Sequence, residues 1–128
     1  MQDFVASRMK KFEPFVRAWL SAWNDHSIER IMEHYASDVI VKSPFLEKAV
    51  PGSGGTVTGR VKLESIYADA FLKYPDLEFE LISYFASVES VVIHYRSVQN
   101  LLAAETFLFN SNGEAKQVLC HYAPNGTT

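Results

Sequence analysis

Glu105 stands inside an apolar run, with Ala103 and Ala104 before it and Phe107 and Phe109 beyond. In an extended chain, side chains two apart share a face, so Ala103, Glu105, Phe107 and Phe109 form one apolar face carrying a single carboxyl group. A turn at Gln99-Asn100 folds the preceding segment back along it and places His94 across from Glu105, with Arg96 over Ala103. A slip of one pair puts Arg96 opposite Glu105 instead. Either register gives the carboxyl a cationic or cationisable partner about 5 Å away between β-carbons. An earlier hairpin brings Phe79, Leu81, Ser83 and Phe85 onto the same face.

Burial alone raises a carboxyl pKa and makes the group a neutral donor, whereas an adjacent imidazolium lowers it and raises that of the histidine. The pair then titrates as a unit. Three roles stay open: a self-satisfied buried pair, a hydrogen-bonding partner for a ligand, or a proton-transfer pair with His94 as base. His121, beside Cys120 near the end of the last alternating segment, is a second candidate histidine. Either His121 or the set Val118, Cys120 and Tyr122 faces inward, and a one-residue bulge exchanges them.

The other reactive side chains have plainer readings. His26 and His34 flank a short helix and are expected at the surface. No two histidines stand at a metal-ligand spacing and no carboxylate joins them, so neither a metal nor a cofactor is expected. Gly52-Ser-Gly-Gly-Thr-Val-Thr-Gly59 lacks the Lys-Ser/Thr of a phosphate loop, having Arg60-Val61 there, and reads as a loop. Asp38 suits a turn. Cys120, the single cysteine, has no cationic neighbour in sequence and reads as a small apolar residue. Trp19 and Trp23, one helical turn apart, are core residues first and cavity wall second.

The elements that position these groups follow from periodicity. Phe12, Val16, Trp19 and Trp23 mark one helical face; Pro14 either begins that helix or interrupts a longer one. Ser27 caps a second helix whose apolar stripe is Ile28, Ile31, Met32 and Tyr35. Val39-Ile40-Val41 is a short strand, residues 44–58 are left without an element, and a third helix covers roughly 60–74. After Pro75 the pattern alternates through four strands with short turns, an antiparallel meander. The order is ααβαββββ, an α+β fold with a curled antiparallel sheet wrapped around the helices. One domain is expected over 1–123, with 124–128 a fraying tail.

The chain has 128 residues, 48% of them hydrophobic and 21% charged, which excludes wholesale disorder. Its net charge of −3 argues against a nucleic-acid partner. No apolar run is long enough to span a membrane and the N-terminus has no secretory h-region, so a cytoplasmic location is expected.

Trp23-Asn-Asp-His-Ser-Ile-Glu-Arg-Ile-Met-Glu-His-Tyr35-Ala-Ser-Asp38, then Ser43-Pro44-Phe45, a glycine-rich loop and Gly59-Arg60, resembles the nuclear transport factor 2-like superfamily, nearest its SnoaL-like and ketosteroid-isomerase-like branches. Pro75-Asp-Leu, Glu105-Thr-Phe-Leu-Phe and Asn112-Gly113 fit the same pattern. The resemblance implies a cone open at one end over an apolar pocket, and commonly a homodimer. It implies that the Glu105 face lines the pocket together with Trp19, Trp23, Tyr35, Ser43, Phe45, Tyr67, Phe71, Phe79, Leu81, Arg96 and Phe107.

Carried over by position, the isomerases' helix-borne tyrosine matches Trp19, their general-base aspartate matches Ser43, and their second carboxyl matches Glu105. One of the three is kept in kind, which argues against steroid isomerisation by the family mechanism. Three functions are weighed. The first is a domain binding a small hydrophobic ligand. The second is an isomerase, dehydratase or cyclase with His94 or His121 as base and Glu105 as donor. The third is a non-catalytic interaction domain. An apolar outer stripe (Val91, Ile93 and Tyr95 beside Ala104, Thr106 and Leu108) leads to the expectation of a homodimer packed sheet against sheet.

Overall fold

The computed structural model describes residues 1–125; of the tail expected to fray, 126–128 lie outside the described residues. Helix α1 (Gln2–Asn24) runs unbroken through Pro14, whose ring lies on the exposed side, and buries Phe12, Val16, Trp19, Ala22 and Trp23. Ser27 caps α2 (Ile28–Met32), its Oγ accepting from the Arg30 N–H at 3.3 Å. Strand β1 (Tyr35–Lys42) starts earlier than the β-branched triplet suggested and takes Tyr35 out of the helical stripe into the sheet.

The stretch 44–58 contains two short elements that no periodicity announces, α3 (Pro44–Ala49) and β2 (Thr56–Thr58). Ser43 caps α3 by accepting from the Phe45 N–H at 3.2 Å. Gly55, at φ +83°, folds the connecting loop onto Ser43: a β-carbon there would lie 3.0 Å from the Ser43 carbonyl oxygen. Helix α4 (Arg60–Lys73) follows, then the meander β3 (Glu80–Ala86), β4 (Ser90–Arg96), β5 (Leu102–Phe109) and β6 (Ala115–Ala123).

The fold is α+β, with one curled, unclosed sheet in the order β2-β1-β6-β5-β4-β3 wrapped around the helices. The meander is antiparallel throughout, but β1 joins β6 in parallel, so the sheet as a whole is mixed. The core lies between the concave face and the helices: Trp19, Tyr35, Tyr95 and Phe107 are its largest fully buried side chains. No helix among the described residues is long and apolar enough to cross a membrane.

Candidate functional site

Glu105 points into the concave side and is 4% exposed. Its neighbours across the ladder are Ile93 on β4 and Cys120 on β6. The partner of the carboxyl is Tyr95, whose hydroxyl donates to Glu105 Oε1 at 2.6 Å, a short bond between two buried groups.

The register differs by one residue from that inferred with a turn at Gln99-Asn100. The chain reverses through a 3-10 turn (Val98–Asn100) with Gln99 and Asn100 both at positive φ, and His94 pairs with Ala104 rather than Glu105. Because facing alternates residue by residue, that single step moves His94 and Arg96 to the outer face and brings Ile93 and Tyr95 inside. Arg96 lies 3.9 Å from Glu80 and donates to Asn100 at 3.1 Å, away from the carboxyl. His121 is exposed and pairs with Ala104 on the outer face, while Val118, Cys120 and Tyr122 take the inner one. Neither His94 nor His121 can therefore act as a base toward Glu105.

In place of a histidine, the carboxyl is surrounded by hydroxyl and thiol groups. Cys120 lies beside it as its ladder partner on β6, and Ser43, Tyr122, Tyr35 and Tyr67 continue the cluster. Trp19 Nε1 donates to the Tyr35 hydroxyl at 3.5 Å. Burial drives the Glu105 pKa up from 4.5 to about 7, against the opposing pull of its bonds with Tyr95 and Cys120. Burial, reinforced by the nearby carboxylate, also pushes Tyr95, Tyr35 and Cys120 upward, so these remain neutral donors. Sequence reasoning left Cys120 as a plain apolar residue, left open whether Tyr122 faced inward, and placed Tyr95 on the outer stripe. The signal was present in the alternation of Tyr95, Ile93 and Val91, once the turn was placed correctly.

The apolar residues divide into those brought together and those sent elsewhere. Phe79 lies against Trp19 (5.8 Å between ring centroids), Trp23 (5.2 Å) and Tyr95 (4.6 Å), and Phe107 meets the edge of Trp19. Tyr67 and Phe71 close on Trp23 from α4. Phe45, on α3, meets the Tyr122 ring edge-on at 4.9 Å. Leu81 packs on this core, but a bulge between Leu81 and Ser83 reverses the facing beyond it. Phe85 therefore turns outward and is 60% exposed, and Tyr84 replaces it inside.

Phe79 precedes the first ladder pair of β3 and is held by side chains instead. Asn24 donates to the Phe79 carbonyl at 3.0 Å and accepts from its N–H at 2.7 Å. His26, stacked on Phe71, contacts the Leu77 carbonyl through Nε2 at 2.8 Å, and is thus engaged rather than free at the surface. His34 is also partly buried, edge-on to Phe15, and burial lowers its pKa. Two surface depressions of about 380 and 570 Å³ flank the 75–80 segment; their walls include Phe79 and Leu77 respectively, but neither Glu105 nor the tryptophans. Among the described residues no group of three or more His, Cys, Asp or Glu side chains is arranged to hold a metal ion.

This architecture recurs in known proteins. A SnoaL-like protein of unknown function from Burkholderia thailandensis E264 superimposes with a TM-score of 0.84 at 35% identity, over 87% of this chain and 92% of its own. At 15% identity, a provisionally assigned ketosteroid isomerase from Kribbella flavida DSM 17836 matches 93% of this chain and 82% of its own with a TM-score of 0.71. A provisionally assigned polyketide cyclase from Sinorhizobium meliloti shares the fold at 12% identity and a TM-score of 0.70, over 88% of this chain and 97% of its own. Among proteins of curated function none matches. The SnoaL-like domain model aligns with residues 16–123, from the middle of α1 to the end of β6, and so takes in every residue of the Glu105 cluster: the chain belongs to the SnoaL-like family.

Proposed function

We propose that the interior of the cone binds a small, largely apolar cyclic molecule whose polar group is met by Glu105 and Tyr95, and that Glu105 exchanges a proton with it. The observation that carries this reading is the Tyr95–Glu105 bond of 2.6 Å inside an otherwise aromatic interior. A fully buried carboxyl is costly as a plain core residue, and its pKa of about 7 suits a group that both gives and takes a proton near neutrality. The neighbouring hydroxyls stay protonated and can steady a negative charge that develops on a bound oxygen. The isomerase and cyclase assignments of the two distant structural relatives agree with proton-transfer chemistry on cyclic substrates. Phe79 occupies the space between Trp19, Trp23 and Tyr95, so entry requires it to move. Its segment is tied down by Asn24 and His26 rather than by the sheet ladder.

Binding of 4-ethylphenol and ethylbenzene, followed by tryptophan fluorescence, tests the reading. The phenol is expected to bind roughly tenfold tighter, as one buried hydrogen bond to a charged or acidic partner allows, and Glu105→Leu should erase that preference. Equal affinities, or no binding of either compound, would contradict the reading; the latter would favour an interaction domain with a closed interior.

A further inference from the structure

Nearly every polar side-chain atom buried in the interior has a partner. Tyr95 donates to Glu105, Trp19 donates to Tyr35, and Ser43 accepts from the Phe45 N–H. Among the described residues, Trp23 Nε1 is the exception: it is buried and no protein acceptor lies within hydrogen-bond reach. Buried donors are almost always satisfied, because an unpaired one forfeits its bond to water without replacement. Trp23 is 7% exposed, and its ring is held among Tyr67, Phe71 and Phe79, none of which offers the indole a strong acceptor at this place.

Trp23 lies one helical turn beyond Trp19 on α1, and the two rings are 6.2 Å apart. Trp19 in turn touches Tyr95, the partner of Glu105. The interior therefore carries two polar stations with aromatic rings between them: the Glu105 cluster and the lone Trp23 N–H. Phe79 is the side chain between them, in contact with both Trp23 and Tyr95.

We infer that Trp23 Nε1 is a specificity-determining donor, and that the ligand of this interior carries a hydrogen-bond acceptor (a carbonyl, ether or ring nitrogen) on the side opposite the group that meets Glu105. This rests on the reading of the interior as a binding site and narrows its ligand class to flat molecules with polar atoms at two opposite ends. An indole N–H donates and cannot accept, so a hydroxyl at that end gains nothing over a carbonyl, and a methyl or ethyl group leaves the donor unpaired.

The test compares 4-hydroxyacetophenone with 4-ethylphenol at about pH 5.5, where both phenols are neutral. They share the hydroxyl that would meet Glu105 and differ in the para acceptor. Wild-type protein is expected to bind 4-hydroxyacetophenone roughly tenfold tighter. Trp23→Phe, which keeps a ring and removes the donor, should abolish that difference, read as the ratio of the two affinities so that any loss of ring contact common to both ligands cancels. In the unsubstituted protein, one of the two indole N–H resonances should move downfield with 4-hydroxyacetophenone and hold its place with 4-ethylphenol, a readout that needs no variant. Equal affinities in the wild type, a preference that survives Trp23→Phe, or an unmoved indole resonance would overturn the inference while leaving the Glu105 reading intact. Failure of both phenols to bind would overturn the two together.

Discussion

Ionising Glu105 means placing a charge among aromatic rings with one phenol and one thiol to steady it. In the unfolded chain the same carboxyl releases its proton near 4.5, whereas in the folded protein it holds it to about 7. Between those values the folded state binds more protons than the unfolded one, so the contribution of Glu105 to stability falls as pH rises through this window and levels off above about 7. The loss amounts to about 3 kcal/mol by linkage. Glu105→Gln removes it, so the variant should gain on the wild type by up to that amount between pH 5 and pH 8 in urea unfolding. Curves that stay parallel would contradict the assignment. His34, whose pKa burial lowers, acts in the opposite sense, adding stability as pH rises toward its unfolded value of 6.5. It is common to both proteins and cancels in the difference. Because the Tyr95 bond opposes the effect of burial, Tyr95→Phe should raise the Glu105 midpoint further.

At the scale of elements, what was legible in the sequence and what was not divides along one physical line. The facing of Glu105 follows from alternation within its own strand, a local property, and the structure agrees. The facing of His94 relative to Glu105 depends on where the chain reverses, and the left-handed Gln99 and Asn100 reset the ladder by one residue. The bulge between Leu81 and Ser83 did the same to Phe85. Elements of three to six residues such as β2 and α3 carry no period to read; the local Ser43 cap and the close approach of Gly55 to the Ser43 carbonyl hold them. Three substitutions probe this level. Gly55→Ala forces a non-glycine side chain into positive φ and against the Ser43 carbonyl, and should cost about 1–3 kcal/mol in chemical denaturation. Asn24→Ala leaves both backbone groups of Phe79 unpartnered; it should destabilise the protein by about 2 kcal/mol and speed hydrogen exchange at 77–81 ahead of the rest of β3. Pro14→Ala restores a helical N–H on an exposed face of α1 and should stabilise by about 1–3 kcal/mol.

For the whole molecule, assembly turns on the outer face of the sheet. With the register corrected, Val92, Ala104, Thr106, Leu108 and Leu119 lie outside, while Val91, Ile93 and Tyr95 belong to the core. Phe85 extends the same apolar surface toward the β3 edge. Packing of two copies through this face is our proposal. Sedimentation at micromolar concentration should then give twice the chain mass of 14.5 kDa, and Thr106→Glu, at the middle of the face, should return the protein to that of one chain. A wild-type protein that sediments as a single chain would remove the dimer and leave the interior site untouched, since Glu105 and its partners all come from one chain.

The proposed function depends on a carboxyl that keeps its proton to neutrality inside the cone. The most direct measurement is a titration of the Glu105 side-chain carboxyl by carbon-13 NMR, with Glu105→Gln to identify its resonance. A midpoint near 7 is the predicted result. A midpoint at the ordinary value of 4.5 would show a solvated carboxylate and contradict the account.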